Sequence, residues 1–520
     1  MEEFRERLYK DFDTFNKASH EFEEEKITAQ EYKSVSTGFG EYLQRDSHQM
    51  LRIRIPGGRI PLKDLKTILN CCQHYHVQHV KFTTGQAIQL HDLDPHAGRR
   101  LILRLLDAGI VTRGAGGDNP NNVTASPLSG VEKGEFFDVQ PYARAFDSYI
   151  LQYTGIEPLP RKFKTGFCNS HSNDTHVTIK DLGFMANPDH TFDVYAAGGM
   201  GVKPKTGLLV GSHVDPSKAL YYLRAMLDVY MEYGDYKNRF KSRTRFLQDT
   251  MGVDGFLSAF RDHLAEVMEE NNLDLDFPET DRDANDAKSV DGPLPEELRQ
   301  NPDVTCQKQE GLYALAYHPI GGYLSVDKME EIYEAVSSWK DIELRITPEG
   351  GLYVINLTAG ELKALLPRMQ DGAQNDFEAS IACVGRARCT IGAADTQALL
   401  KNCIGAVRKS GLPGSALPKL HISGCISCCG ETQIGTLGLR GARKKHEDGT
   451  PYEAFFVSLG GSAAPGKEVL AVGTKAIPAD RIPDFLIELG KKVSGSESNF
   501  EAWYPDHKDE LEELIDRYKV

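Results

Sequence analysis

The chain has 520 residues, with 60 Lys+Arg against 75 Asp+Glu and a net charge of −15. At roughly 150 residues per domain this length suggests about three domains, and 40% hydrophobic with 26% charged residues is an ordinary globular composition. The acidic balance speaks against non-specific nucleic-acid binding, which needs surplus Lys and Arg. No run approaches the ~18 apolar residues of a spanning helix, and the charged opening MEEFRERLYKDF has no apolar secretory region. No nucleic acid, no membrane and a cytoplasmic setting are therefore expected. In that setting the ten cysteines are thiols or ligands rather than disulfides.

Residues 1–45 read as helical and then irregular, an N-terminal arm wrapping one half. From residue 46 the chain enters an alternating strand (Leu51, Ile53, Ile55), a Gly57-Gly58 turn, an amphipathic helix and a β-rich stretch with a hairpin-like turn. This unit recurs. Gly321-Gly322 stands 264 residues after Gly57-Gly58, and at the same offset Leu62 meets Val326, Leu65 meets Met329, Ile68 meets Ile332 and Lys81-Phe82-Thr83 meets Arg345-Ile346-Thr347. A constant offset over about 25 residues marks a duplication.

A second unit also repeats. Val194–Gly199 precedes an apolar strand at Leu208–Val210 and a helix from about Pro216. Phe456–Gly461 precedes a strand expected at Val469–Val472 and a helix from about Ala479. The order A-B-A′-B′ predicts an α+β, pseudo-twofold molecule with a ligand between its halves. Residues 271–304, rich in Asp, Asn and Pro, are the expected acidic linker, and 506–520 a charged terminal helix.

Six of the cysteines crowd into 383–429. Cys383 and Cys389 form C-x5-C; Cys425 and Cys429 form C-x3-C, in turns rich in glycine. Four thiolates in two paired loops suit a cubane iron–sulfur cluster. Zinc is the competing metal, although its sites favour C-x2-C knuckles, and buried free thiols are the third reading. Cys428, beside Cys429, is ambiguous on spacing alone.

At these residues the chain resembles the sirohaem-containing assimilatory nitrite and sulfite reductases. The likeness runs from about residue 35 to 490. It is carried by the paired cysteines and by LRIRIPGG, FTTGQAIQLHDL, GAGGDNPNNVTASPLSGV, LPRKFKTGF, DLGFMA, VYAAGGMGVKPKTG and ITPEGGLYVINL. The resemblance implies ferredoxin-like half-domains at 46–125 and 305–372, a sirohaem-binding domain at 126–270 and a [4Fe–4S]/sirohaem domain at 373–505. It implies that Cys383, Cys389, Cys425 and Cys429 hold a [4Fe–4S] cluster, with Cys429 shared with the sirohaem iron, and that Cys428 is not a ligand.

It further implies that Lys162 and Lys164 orient an oxyanion and relay protons. Two lysines lean toward sulfite, since nitrite-type members tend to carry Asn at the second position. Arg113, Asn121, Arg161 and Arg386 are the candidate sirohaem contacts, with Lys203, Lys205 and Arg388 as further basic candidates. Two departures stand out. Gly85 and Asn121 occupy the places of the family's two anion-binding arginines, so a bulkier or less anionic acceptor competes with sulfite and nitrite as substrate. A non-catalytic cofactor-binding or assembly protein is the remaining alternative. No G-x-G-x-x-G lies between a strand and a helix, so electrons are expected from a ferredoxin or flavoprotein. Arg440–Lys445 or Lys401–Lys409 would offer a basic docking face.

Overall fold

A computed structural model describes residues 2–94, 96–277, 288–496 and 498–520. The middle of the expected acidic linker, 278–287, lies outside the described residues. In chain order the first half contains β1 (Glu41–Leu43), β2 (Gln49–Ile53), β3 (Arg59–Pro61), the helix Leu62–His74, β4 (His79–Phe82) and β5 (Ile88–Leu93), then β6 (Thr124–Ala125), β7 (Thr165–Cys168), β8 (Leu182–Ala186), β9 (Phe192–Ala196) and β10 (Leu208–Val214). The second half repeats this with β11 (Val304–Cys306), β12 (Tyr313–Tyr317), β13 (Tyr323–Ser325), the helix Val326–Val336, β14 (Glu343–Ile346) and β15 (Leu352–Leu357), then β16 (Ile381–Ala382), β17 (Leu420–Ser423), β18 (Leu437–Lys445), β19 (Pro451–Leu459) and β20 (Lys475–Pro478).

Among the described residues four five-stranded sheets result. Their orders, β1-β2-β5-β4-β13, β10-β9-β8-β7-β6, β11-β12-β15-β14-β3 and β16-β17-β18-β19-β20, are two matching pairs. In the second and fourth sheets the matching strands keep the same directions: two parallel pairings followed by two antiparallel ones. The duplicated α+β architecture is therefore present in topology as well as in sequence.

The two Gly-Gly turns do more than reverse the chain. Gly57 and Gly321 both take φ of 63°, a left-handed value that glycine adopts without a Cβ penalty. Each turn sends the next short strand into the other repeat's sheet: β3 pairs with β14 through Ile60 and Leu344, and β13 pairs with β4 through Leu324 and Val80. This reciprocal exchange makes one core from both repeats, in which Leu51, Ile68 and Leu90 share an apolar cluster with Leu315, Ile332 and Val354. The N-terminal helices Glu2–Glu23 and Ala29–Ser36 add Phe12, Phe15 and Tyr32 to it, and β1 extends the first sheet.

The other two sheets carry their own cores. The helices Gln140–Tyr153, Ala219–Tyr233 and Gly252–Glu270 pack on the second sheet, while Thr396–Ser410, Ile482–Gly495 and Lys508–Tyr518 pack on the fourth. One expected strand is displaced. Residues 469–472 make an isolated bridge from Val469 to Ser462 and one bond from the Ala471 N–H to the Gln433 carbonyl, and the pairing with β19 begins at Lys475. Val469 and Val472 are half exposed, so this apolar run has no sheet face to cover.

Candidate active site

The first cysteine loop leaves β16. Cys383 follows Ala382, a short helical turn spans Gly385–Arg388, and Cys389 ends it. The second loop leaves β17 and carries Cys425 and Cys429. The parallel pairing of β16 with β17 puts the two loops side by side, and the Gly424 N–H donates to Cys383 Sγ at 3.1 Å. The sulfurs feel one another. Burial, with Cys429 adding to it, pushes the Cys383 thiol up to about 11, and burial, Cys429 and Cys425 all raise Cys389. The neighbours Cys428 and Cys429 diverge: Cys428 is buried, with φ of 55° and a thiol pushed up to about 12 by burial, whereas Cys429 is exposed. Among the described residues no three His, Cys, Asp or Glu side chains converge on a single metal ion. A zinc site would bring its thiolates to about 3.8 Å, as tetrahedral 2.3 Å bonds demand; a cubane gives each thiolate its own iron and holds them farther apart.

Cys429 opens on a cavity between the second and fourth sheets, into which Lys162, Lys164, Lys180 and Arg243 all reach. Phe163 explains the lysine pair. It is fully buried and bridges to Pro120 in an extended segment before β7, which turns Lys162 and Lys164 to the opposite side together. Burial first, and the Lys164 charge second, lower Lys162 to about 7, with the Cys429 thiolate opposing; Lys180 falls to about 8 for the same first two causes. Arg243 is anchored on Asp181 at 2.7 Å, and the same carboxylate accepts the Lys164 N–H at 2.8 Å. On the far wall His176 and Glu431 pair at 3.2 Å. Burial opposes the Glu431 charge, yet His176, Lys164 and Lys180 hold it down to about 2.

The turn Thr83–Gly85 lies against the second cysteine loop, with the Thr84 hydroxyl donating to the Cys429 carbonyl at 3.3 Å. A Cβ on Gly85 would meet nothing nearer than Thr83 Oγ1 at 3.8 Å, so the position opens on space. Asn122 donates to the Gly85 carbonyl at 2.8 Å, which ties this turn to the segment holding Asn121. The Asn121 amide itself donates locally, to the Asn119 carbonyl at 3.3 Å.

The remaining candidates have partners elsewhere. Arg113 turns into the N-terminal arm, where Asp11 at 3.1 Å, the Gly38 carbonyl at 2.9 Å and the Phe39 ring satisfy it, and it does not line the Cys429 cavity. Arg161 pairs with Asp118 at 2.7 Å, and Arg386 with Glu453 at 3.5 Å. Arg388 forms a two-point pair with Asp92, and Lys205 pairs with Asp249. Lys203 contributes its backbone carbonyl to Arg245. Sequence reasoning missed Lys180, His176, Arg243 and Glu431 in the cavity, and also Arg45, whose guanidinium reaches four carbonyls of the first cysteine loop. Only Arg243 had a visible signal, a basic residue at every second position from 237 to 245.

Two adjacent cysteine loops, one of them opening through Cys429 on a cavity lined by cations, define the class as a metal-cluster type of redox protein. Comparison with known proteins gives the particular family. The "Nitrite and sulphite reductase 4Fe-4S domain" matches residues 116–268, and the "Nitrite/Sulfite reductase ferredoxin-like half domain" matches 42–106 and again 306–372, together more than half of the chain. The assimilatory ferredoxin-dependent nitrite reductase of Haloferax mediterranei is 24% identical over 481 residues, covering 87% of this chain and 80% of its own. The ferredoxin-type sulfite reductase of Mycobacterium tuberculosis is 26% identical, covering 79% and 73%. The fold of the NirA protein of Mycobacterium tuberculosis superposes with a TM-score of 0.77 over 93% of this chain and 92% of that one, at 22% identity. The chain belongs to the nitrite and sulfite reductase family and is an oxidoreductase.

That family implies a [4Fe–4S] cluster and sirohaem, and the residues present fit both. The four thiols of the two adjacent cysteine loops suit the cluster. Arg243 Nε and Arg245 Nη1 are buried without a partner, and orphaned buried donors of this kind call for an anionic ligand such as the carboxylates of sirohaem.

Proposed function

We propose that this protein reduces sulfite, with ferredoxin as electron donor. The observation that carries the reading is that Lys162 and Lys164 both line the cavity onto which Cys429 opens. Cys383, Cys389, Cys425 and Cys429 would hold the cluster, and Cys429 would also serve the sirohaem, the pair supplying electron transfer to the substrate. Lys162 and Lys164 bind the oxyanion through charge-assisted hydrogen bonds. A lysine whose ammonium is destabilised by burial and a like charge also releases a proton readily, as each reduction step requires. The Asp181 carboxylate holds Arg243 and the Lys164 backbone in place. Ferredoxin is the donor named for the Haloferax and Mycobacterium relatives.

The open space at Gly85 favours a second reading, in which the same site accepts a larger oxidised substrate. The experiment is a viologen-linked assay of the loaded enzyme with sulfite and nitrite, together with Lys164→Asn. Sulfite turnover above nitrite turnover, with the preference reversed by the variant, is the expected result. Negligible turnover of both anions favours the larger acceptor.

A further inference from the structure

The stretch Lys237-Asn238-Arg239-Phe240-Lys241-Ser242-Arg243-Thr244-Arg245 carries a basic residue at every second position. Its burial is graded along the chain. Lys237, Arg239 and Lys241 are exposed, Arg243 is half-buried and lines the Cys429 cavity, and Arg245 is buried. Five charges therefore run from solvent to the interior in sequence order.

The stretch is fastened along the segment that bears Lys162 and Lys164. Arg239 donates two hydrogen bonds to Asp118, at 2.8 and 3.1 Å, and Asp118 also takes Arg161. The Tyr230 hydroxyl contacts the carbonyls of both Ser242 and Arg161, and Asp181 joins Arg243 to Lys164. Asp118 and Asp181 offset part of this charge. Asp235 caps the Lys237 and Asn238 N–H groups at the outer end. Cations still outnumber carboxylates along the path, on a chain whose net charge is −15. Most approaches to such a molecule repel an anion, and a cationic row leading into a low-dielectric cleft gathers anions and raises their encounter rate.

We propose that Lys237, Arg239 and Lys241, the exposed part of this stretch, form an entry track that steers an inorganic oxyanion toward the Cys429 cavity. The inference rests on the reading of that cavity as the reaction site. Lys237 and Lys241 are the track's outer charges and do not themselves line the cavity.

The test uses the loaded enzyme and the variant Lys237→Gln/Lys241→Gln. Association of sulfite is followed in a stopped-flow instrument through the chromophore absorbance, beside uncharged hydroxylamine as a second ligand. In 10 mM salt, where charges act over about 30 Å, the variant should bind sulfite about three- to tenfold more slowly. The difference should vanish in 1 M salt, where that range is about 3 Å, and hydroxylamine should associate equally fast with both proteins. Lys237→Glu/Lys241→Glu should slow sulfite further. Equal sulfite rates at low salt, or an equal loss for hydroxylamine, overturn the track. A defect seen only with reduced ferredoxin, sulfite association being normal, overturns it in favour of donor docking. A wild-type chromophore that sulfite never perturbs overturns the reading of the cavity itself.

Discussion

Arg45 lies in the turn between β1 and β2, yet its guanidinium serves the first cysteine loop. Nε donates to the Arg386 carbonyl at 3.0 Å, and Nη2 reaches the carbonyls of Thr390 at 2.9 Å, Gly392 at 3.2 Å and Cys389 at 3.3 Å. The Arg45 residue is exposed, so these bonds take the modest net value of ~0.5–1.5 kcal/mol each, and three of them share one nitrogen. Arg45→Ala therefore weakens the loop by about 2 kcal/mol, an opening equilibrium about 30-fold larger at 1.4 kcal/mol per factor of ten. Hydrogen exchange reads this directly. The N–H groups of Arg386, Cys389 and Gly392 bond to Ala394, Gly385 and Cys389 within the loop, and each should exchange about 30-fold faster in the variant. The β17 and β18 amides should keep their protection. The loaded variant should also lose iron sooner on dialysis. Unchanged exchange at those three amides would refute the reasoning.

Burial, with Glu23 adding to it, raises the Glu41 carboxyl from 4.5 to about 7. The folded protein therefore holds a proton that the unfolded chain releases between these values, and stability falls by up to about 3 kcal/mol as pH rises from 4.5 through 7; in Glu41→Gln that slope should disappear from urea unfolding midpoints compared at pH 4.5 and 8. Lys162→Met should lower kcat for sulfite by about 10²–10⁴-fold while iron and sulfide content stay at wild-type levels. Arg54 is buried against Asp147 and donates to the carbonyls of Gly114, Pro120 and Asn121. Arg54→Met strands the carboxylate and should cost about 3–5 kcal/mol, seen as an earlier urea transition.

The duplication was legible because a Gly-Gly turn and a helical apolar face survive at a constant offset. The strand exchange was not, because residues such as Ile60 and Leu324 fit either sheet and only the turn geometry at Gly57 and Gly321 selects the distant one. The cysteine spacings announced two loops, while their coupling depends on the β16–β17 pairing. Lys162 and Lys164 were legible through the LPRKFKTGF stretch that carries the family resemblance. Lys180 and His176 flank one short helical turn, Val177–Ile179, and Glu431 follows the second cysteine loop; they were invisible because only packing brings that turn and that loop together at the cavity. Arg113 illustrates the converse. Its position suggested a cofactor contact, but an acidic residue from the N-terminal helix captures it. The apolar run at 469–472 likewise suggested a strand, but it bonds to Ser462 and Gln433 rather than joining β19.

The reciprocal placing of β3 and β13 also sets a timetable for synthesis. β4 pairs with β13 through Lys81 and Tyr323, and these residues leave the ribosome about 240 positions apart. At the usual 5–20 residues per second that interval is ~12–50 s. During that interval the first sheet presents a bare edge, an invitation to pair with another nascent chain. The core shared by the first and third sheets is unfinished until both halves are made, although the second sheet's core draws on the first half alone, and the chain's most vulnerable moment falls in mid-translation.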